Sequence, residues 1–226
     1  MPDNSFENII APADELYSKH EDIKNVWTSL HLLRSALDEV NNYEIAWRLG
    51  RAFFFLGQEE PAVEIKRELH AQGVDAGKRA VRAEPARVEA HFWLGVNLAL
   101  LAQVESPLKA IAHALQAKRA LQQAVMIDPS YHAAGPLRAL ARLRHKLPRL
   151  LGGGSAQARE NYERAIELAP NNTVTRIYFA ELLSEIGDNN RARAEFEAVI
   201  NAPFDPAWSF EIERDRKIAR ELLKNN

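Results

Sequence analysis

Apolar side chains recur along the chain at helical spacing, in segments separated by short polar breaks. Between Asp22 and Val40, for example, Val26, Leu30 and Leu33 follow one another in steps of four and three residues, and Leu37 comes four later. Such residues share one face of an α-helix. A second segment opens with proline, which is favoured in the first helical turn. It predicts a helix from Pro107 to Ile127, and the whole pattern predicts an all-α fold.

The helical segments repeat. Three of them, residues 77–85, 121–129 and 162–170, place Ala five positions before a closing Pro, and the shorter stretch 196–203 has the same spacing. A matching opening has a large apolar residue followed by a small one and then an aromatic residue or Leu. It is found at residues 46–57, 91–98 and 176–187. Self-similarity at this period indicates stacked supersecondary units.

These residues resemble the tetratricopeptide repeat, a helix-turn-helix unit of about 34 residues. The last unit matches best. The resemblance implies a right-handed superhelix in which small residues such as Gly50, Gly95 and Ala180 let helices approach closely. We predict one continuous domain over residues 1–226. Its parts are an N-terminal helix pair (13–42), four repeats (43–85, 87–129, 133–170 and 173–203) and a C-terminal capping helix (205–224).

The first three units are longer than a standard repeat. In units one and two the extra residues predict elongated second helices that begin at Pro61 and Pro107, with Ser106 as the N-cap of the latter. In unit three the insertion predicts a loop from Pro148 to Gly154, with Ser155 capping the next helix.

A narrower resemblance rests on residues 46–52, 89–95 and 135–140 together with the Gly-rich loop at 152–153. This combination resembles the T component associated with TRAP transporters (the TatT family) and, more distantly, the regulator-of-microtubule-dynamics proteins. It implies a non-enzymatic, self-associating protein that partners the solute-binding component of a TRAP system. It also implies a periplasmic lipoprotein, if a leader was trimmed. As written, the chain shows no leader or anchoring Cys, which predicts a cytoplasmic protein without a membrane span.

A partner is expected in the concave groove that the first helices of such repeats line. Its apolar and aromatic residues suit an amphipathic helix, a peptide or a small apolar ligand. Alternatively, the N-terminal helix pair or the long second helices cover Trp47, Phe54 and Phe55 as part of the core. The predicted groove residues are Trp47, Arg51, Phe54, Phe55, Phe92, Val96, Leu140, Arg144, Ile177 and Glu181.

Charge is unevenly distributed beneath a net value of −2. Nine basic residues and one acid, Asp128, lie between Ser106 and Arg159. Helical spacing places Arg138, Arg142, Lys146 and Arg149 on one basic face. This face could bind an acidic partner or another subunit, neutralise acids on neighbouring repeats, or simply be solvated. Nucleic acid is not expected, because this stretch has a single aromatic residue, Tyr131.

No pattern of catalytic residues is found. The chain has no Cys, and its seven His form no His-Glu-x-x-His pair, so neither a metal nor another cofactor is expected. The Gly152–Gly154 run lacks the Gly-Lys-Ser/Thr ending of a phosphate-binding loop. We therefore predict a non-enzymatic interaction scaffold that forms homo-oligomers. The alternatives are binding or delivery of a small apolar ligand and regulation of microtubules.

Overall fold

The computed structural model describes residues 7–37 and 42–224, and these ranges contain helices and no strand. The predicted all-α fold is confirmed. Two short 3-10 turns, Arg149–Leu151 and Pro206–Trp208, accompany the α-helices of the described ranges. The helices are α1 (Glu7–Ser18), α2 (Ile23–Leu37), α3 (Tyr43–Glu59), α4 (Val63–Ala83), α5 (Val88–Gln103), α6 (Pro107–Ile127), α7 (Tyr131–Lys146), α8 (Ser155–Leu168), α9 (Thr173–Glu185), α10 (Asn189–Ile200) and α11 (Ser209–Lys224).

One predicted helix agrees with the structure at both ends, and several other predicted boundaries differ by a few residues. Helix α6 runs from Pro107 to Ile127 as predicted, whereas α4 begins two residues after Pro61. The predicted end of α2 at Val40 lies outside the described residues. The prediction that Ser155 caps α8 is wrong, because Ser155 is already the first residue of the helix and the preceding Gly154 has no side chain to accept a bond.

The chain divides into two compact units between Ile127 and Asp128. Unit 1 contains α1 to α6 and unit 2 contains α7 to α11. In each unit the helices pack against their neighbours in the sequence, which is the arrangement of tetratricopeptide helix pairs. The prediction of one continuous domain stays a prediction.

Glycines in unit 1 stand where helices come closest. A Cβ on Gly77 of α4 would lie 2.8 Å from the Cα of Leu94 on α5, and one on Gly95 would lie 2.7 Å from Cγ of Leu121 on α6. Side chains are therefore excluded at these crossings. The small residues of the repeat pattern set the distance between paired helices.

A buried amide joins the two first helices of unit 1. Asn97 of α5 is fully buried, and its Nδ2 donates to the carbonyl oxygens of Gly50 on α3 (2.9 Å) and Trp93 (2.8 Å). Its Oδ1 lies 3.3 Å from Nδ1 of His70 on α4, whose side chain is also buried. Buried polar groups are costly unless they are hydrogen-bonded, so this network fixes how α3, α4 and α5 pack.

Unit 2 has a polar network at the start of α9. Asn172 caps this helix by accepting from the N–H of Thr175 (3.0 Å), and it also accepts from Nη1 of Arg138 on α7 (3.3 Å). Thr173 Oγ1 donates to Asp215 of α11 at 2.7 Å. Burial raises the pKa of Asp215. The network therefore links the first helices α7 and α9 to the C-terminal helix.

Helix α7 begins with a left-handed turn. His132, Ala133 and Ala134 have φ angles of 51°, 52° and 57°, a region that residues other than glycine rarely adopt. The Nη1 of Arg138 donates to the carbonyl oxygen of Ala133 at 2.9 Å, and the His132 ring lies 4.9 Å from that of Trp208. Regular α-helix starts after this turn, at Gly135.

No helix in the described ranges is long and apolar enough to cross a membrane.

Candidate interaction surface

The predicted groove residues of unit 1 lie on the first helices α3 and α5. Trp47, Phe55, Phe92 and Val96 are buried, with at most 9% of their surface exposed. Arg51 and Phe54 are half-buried. Most of the predicted aromatic surface is therefore part of the packed interior, and only part of it is accessible from solvent.

The N-terminal helix α1 accounts for part of this burial. Asp14 accepts hydrogen bonds from Nε of Arg48 (2.9 and 3.0 Å) and from Nη2 of Arg51 (2.5 Å). Burial opposes ionisation of Asp14, but the bonds from Arg48 and the charge of Arg51 hold the pKa of its carboxyl below the ordinary value. These charge-assisted bonds anchor α1 on α3.

Aromatic contacts continue the same interface. The Arg51 guanidinium lies 3.9 Å from the ring centre of Tyr17 on α1, and that of Arg48 lies 4.2 Å from the Trp47 ring. The ring of His20, just after α1, lies 5.0 Å from the Phe55 ring. The structure thus places part of the N-terminal helix pair over Phe55, as the covering alternative expects.

A polar contact lies at the start of α3 and α5. The Tyr43 hydroxyl donates to Glu89 at 2.8 Å, and burial together with this bond raises the pKa of Tyr43 far above its ordinary value. The rings of Phe54 and Trp93 are 5.4 Å apart. Successive first helices of unit 1 are therefore held together at several points. Phe54 of α3 remains half-buried at a predicted groove position, as does Leu100 of α5, which follows Val96 by four residues and so belongs to the same predicted helix face.

In unit 2 the predicted groove residues lie on α7 and α9. Leu140 and Ile177 are each 3% exposed, whereas Arg144 and Glu181 are half-buried. Glu181 forms an ion pair with Arg142, whose guanidinium lies 4.3 Å from the Tyr178 ring centre. The accessible part of this surface is therefore charged rather than apolar.

Only some residues of the predicted basic face lie at the surface of the protein. Arg138 is 8% exposed, and burial lowers its pKa to about 10. Lys146 forms an ion pair with Glu185 at 2.6 Å, and Arg149 is exposed at the start of a 3-10 turn. The ion pairs of Arg142 and Lys146 join α7 to α9, which is what neutralisation of acids on a neighbouring repeat would produce.

Two polar groups that sequence reasoning missed organise these surfaces. Asp14 lies in a segment that the repeat pattern does not reach, and nothing in the sequence pairs it with Arg48. Asn97 does carry a signal, because it interrupts an otherwise apolar helix face. In the described ranges no cluster of three His, Asp or Glu side chains could hold a metal ion.

Comparison with solved structures shows the fold. A thermophilic tetratricopeptide protein of Thermus thermophilus, TTC0263, has a TM-score of 0.66 and 21% identity, covering 92% of this chain and 97% of its own. A structure of Pseudomonas aeruginosa pilF has a TM-score of 0.57 at 16% identity, covering 97% of this chain and 92% of its own. MamA has a TM-score of 0.54 at 18% identity, covering 88% and 95%.

Comparison of sequences shows the family. A tetratricopeptide repeat model matches residues 155–209. Regulator of microtubule dynamics protein 1 of Mus musculus is 29% identical over 124 residues, which span 54% of this chain and only 39% of the mouse protein. The family model for regulator of microtubule dynamics protein 1-3 matches residues 9–136, more than half of the chain. The chain therefore belongs to the regulator of microtubule dynamics protein 1-3 family and is built from tetratricopeptide-type helix pairs.

Proposed function

We propose that this helical-repeat protein is a non-enzymatic scaffold that binds a protein partner on the first-helix surface of unit 1. The observation that supports the proposal is that two apolar side chains at predicted groove positions, Phe54 on α3 and Leu100 on α5, are half-buried rather than packed in the core. Side chains of this kind can bury further surface against a partner without unfolding the repeat. An apolar helix face of the partner that packs here would contribute about 25 cal/mol of favourable free energy for each Å² of apolar surface removed from water.

Buried residues are unsuitable for testing the proposal. Trp47 and Phe92 belong to the packed interior, and replacing such side chains by alanine costs about 3 to 5 kcal/mol of folding free energy. Loss of binding would then report unfolding. Phe54 and Leu100 can be replaced at lower cost, since each is already part-exposed.

The experiment compares two double variants. The first carries Phe54→Asp together with Leu100→Asp, and the second, which is the control, carries Val63→Asp together with Ile65→Asp. The second pair removes exposed apolar residues from the second helix α4, where Val63 and Ile65 are 48% and 51% exposed. Partners are recovered with each full-length variant and quantified, and helicity is checked by circular dichroism. The proposal expects the first pair alone to lose partners. Equal recovery by both pairs would place binding elsewhere.

Family membership favours a second candidate, regulation of microtubules. The match spans only 39% of the mouse relative, so the activity of that whole protein is a proposal for this chain. Co-sedimentation of the purified chain with microtubules, repeated at raised salt, tests it. Binding that is absent at low salt would remove this candidate.

Two further candidates rest on the sequence. An accessory role in a TRAP transport system predicts that the chain retains the solute-binding component of that system in a pull-down. Binding of a small apolar ligand in the groove predicts a ligand-bound mass in native mass spectrometry. Negative results in these assays would leave the scaffold proposal intact and eliminate each candidate separately.

A further inference from the structure

The inserted turn between α7 and α8, residues 148–154, presents an apolar tip. It contains the 3-10 turn Arg149–Leu151, and at its centre Leu150 is 100% exposed, more than any other large apolar side chain in the described ranges. Single apolar residues are common on protein surfaces. The meaning of this one therefore depends on how the turn holds it and on what surrounds it.

Backbone contacts fix the shape of the inserted turn. The N–H of Gly153 donates to the carbonyl oxygen of Pro148 at 3.1 Å, and the N–H of Gly154 donates to that of Arg144 on α7 at 2.9 Å. A Cβ on Gly153 would lie 1.8 Å from the carbonyl oxygen of Leu147, so the turn folds directly against the end of α7. A tip that is held in this way loses little conformational entropy when it binds.

A second exposed apolar residue lies at the neighbouring turn of unit 2. Ile186, which ends α9, is 44% exposed. Nε2 of His145 and Nζ of Lys146, at the end of α7, lie 2.7 and 2.6 Å from the carboxylate oxygens of Glu185. These contacts hold the ends of α7 and α9 side by side. The turns that carry Leu150 and Ile186 therefore belong to the same end of unit 2.

This end of unit 2 is also basic. No acidic residue occurs between Asp128 and Glu160, whereas that stretch contains six cationic residues, Arg138, Arg142, Arg144, Lys146, Arg149 and Arg159. In the described ranges the ion pairs engage Arg142, Lys146 and Arg159 but not Arg149. Arg149 is exposed and adjoins Leu150. The apolar tip thus carries an uncompensated positive charge beside it.

We propose that this end of unit 2 docks on an anionic lipid surface, with Leu150 inserted below the headgroups and Arg149 among the lipid phosphates. Basic residues are attracted to a negatively charged leaflet, and an apolar side chain is stabilised by leaving water. A bilayer accommodates a protruding tip of any shape, whereas a protein partner of standard size needs about 800 Å² of complementary surface on each side. The proposal does not depend on the function proposed for unit 1.

The test is co-sedimentation of the full chain with sucrose-loaded vesicles. One set consists of phosphatidylcholine, and the other also contains phosphatidylserine as roughly a third of the lipid. We expect at least about tenfold stronger binding to the anionic set. Raised salt should weaken this binding, because it screens the attraction between Arg149 and the lipid headgroups.

Variants connect the binding to the tip. Leu150→Ser should weaken binding to the anionic vesicles about tenfold, and Arg149→Gln should weaken it about fivefold. Phe204→Ser is the matched control, since Phe204 is 68% exposed but follows the opposite end of α10 and adjoins Asp205. It should bind like the parent. Circular dichroism checks that each variant keeps its helicity.

A fluorescent label distinguishes insertion from adsorption by charge alone. Because the chain has no Cys, Leu150→Cys and Phe204→Cys each provide a single site for a nitrobenzoxadiazole label. The label at position 150 should brighten and shift to shorter wavelength on the anionic vesicles, because it enters a less polar environment. The label at position 204 should not change.

Three results would overturn the proposal. Equal binding to the two sets of vesicles would exclude an anionic surface. Parent-like binding of Leu150→Ser, or an unchanged spectrum of the label at position 150, would exclude insertion of the tip. Absence of binding to either set would exclude a lipid surface and leave a protein as the occupant of the tip.

Discussion

His70 should make unit 1 sensitive to mild acid. Its ring is 1% exposed and lies between Gly57 of α3 and Asn97 of α5. Burial lowers the pKa of His70 to about 4, outweighing the opposing effect of its bond to Asn97. The ordinary value of about 6.5 applies in the unfolded chain.

The sign of the effect follows from proton uptake. Below pH 6.5 the unfolded chain binds a proton that the native His70 does not, so stability falls by about 1.4 kcal/mol per pH unit. The loss is about 2 kcal/mol between pH 7 and pH 5, and it reaches about 3 kcal/mol below pH 4, where the native ring is protonated too. At pH 5 the carboxyls of Asp14 and Glu89, whose native pKa values are lowered, still contribute their stabilisation.

The assay is urea unfolding at pH 7 and pH 5, followed by tryptophan fluorescence in a Trp208→Phe background. Trp27, Trp47 and Trp93 then report on unit 1 alone. In His70→Gln the loss between the two pH values should shrink by about 2 kcal/mol. His31→Gln, which removes an exposed histidine from the same unit, should keep the full loss. An equal pH dependence in His70→Gln and the parent would refute the reasoning.

Three other substitutions test the packing. Gly73→Ala places a Cβ 2.3 Å from Oδ1 of Asn97 and should destabilise unit 1 by about 2 to 4 kcal/mol in urea unfolding. Asp14→Asn removes the charge that holds Arg48 and should speed hydrogen exchange in α1 while α4 and α5 stay protected. It should lower the free energy of unfolding by about 1 kcal/mol. Ala133→Gly should stabilise unit 2 by about 0.5 to 1 kcal/mol in thermal unfolding, because glycine adopts a φ of 52° without strain.

Each of these predictions has an outcome that contradicts it. A Gly73→Ala protein as stable as the parent would show that Asn97 can move without losing its bonds. Unchanged exchange in α1 after Asp14→Asn would mean that apolar packing alone holds that helix. A less stable Ala133→Gly protein would argue against the left-handed turn.

Periodicity and proline positions predicted the helices well, because they depend on local geometry. Helix α6 begins at Pro107 and ends at Ile127 as the pattern requires. The left-handed turn at residues 132–134 could not be predicted from periodicity, since it is contacted by the Arg138 guanidinium and by Trp208, which is remote in the sequence. Repeat register alone does not reveal which neighbours bury a side chain.

For the predicted site, too, local features could be predicted from the sequence and tertiary contacts could not. Repeat register correctly placed Trp47 and Phe92 on the first helices, but it could not show their burial, which depends on packing with neighbouring helices such as α1. Likewise, Arg142 and Lys146 were recognised as basic, whereas their pairing with Glu181 and Glu185 depends on how α7 packs against α9. Tertiary neighbours, rather than composition, decide which of the predicted groove residues remain accessible to solvent.

The most direct test of the scaffold function is the paired comparison on unit 1. The double variant Phe54→Asp/Leu100→Asp should lose recovery of protein partners while helicity is retained. The control double variant Val63→Asp/Ile65→Asp should recover partners at the level of the parent protein. Retention of partners by the first pair, or their loss with the second, would contradict binding on the first-helix surface.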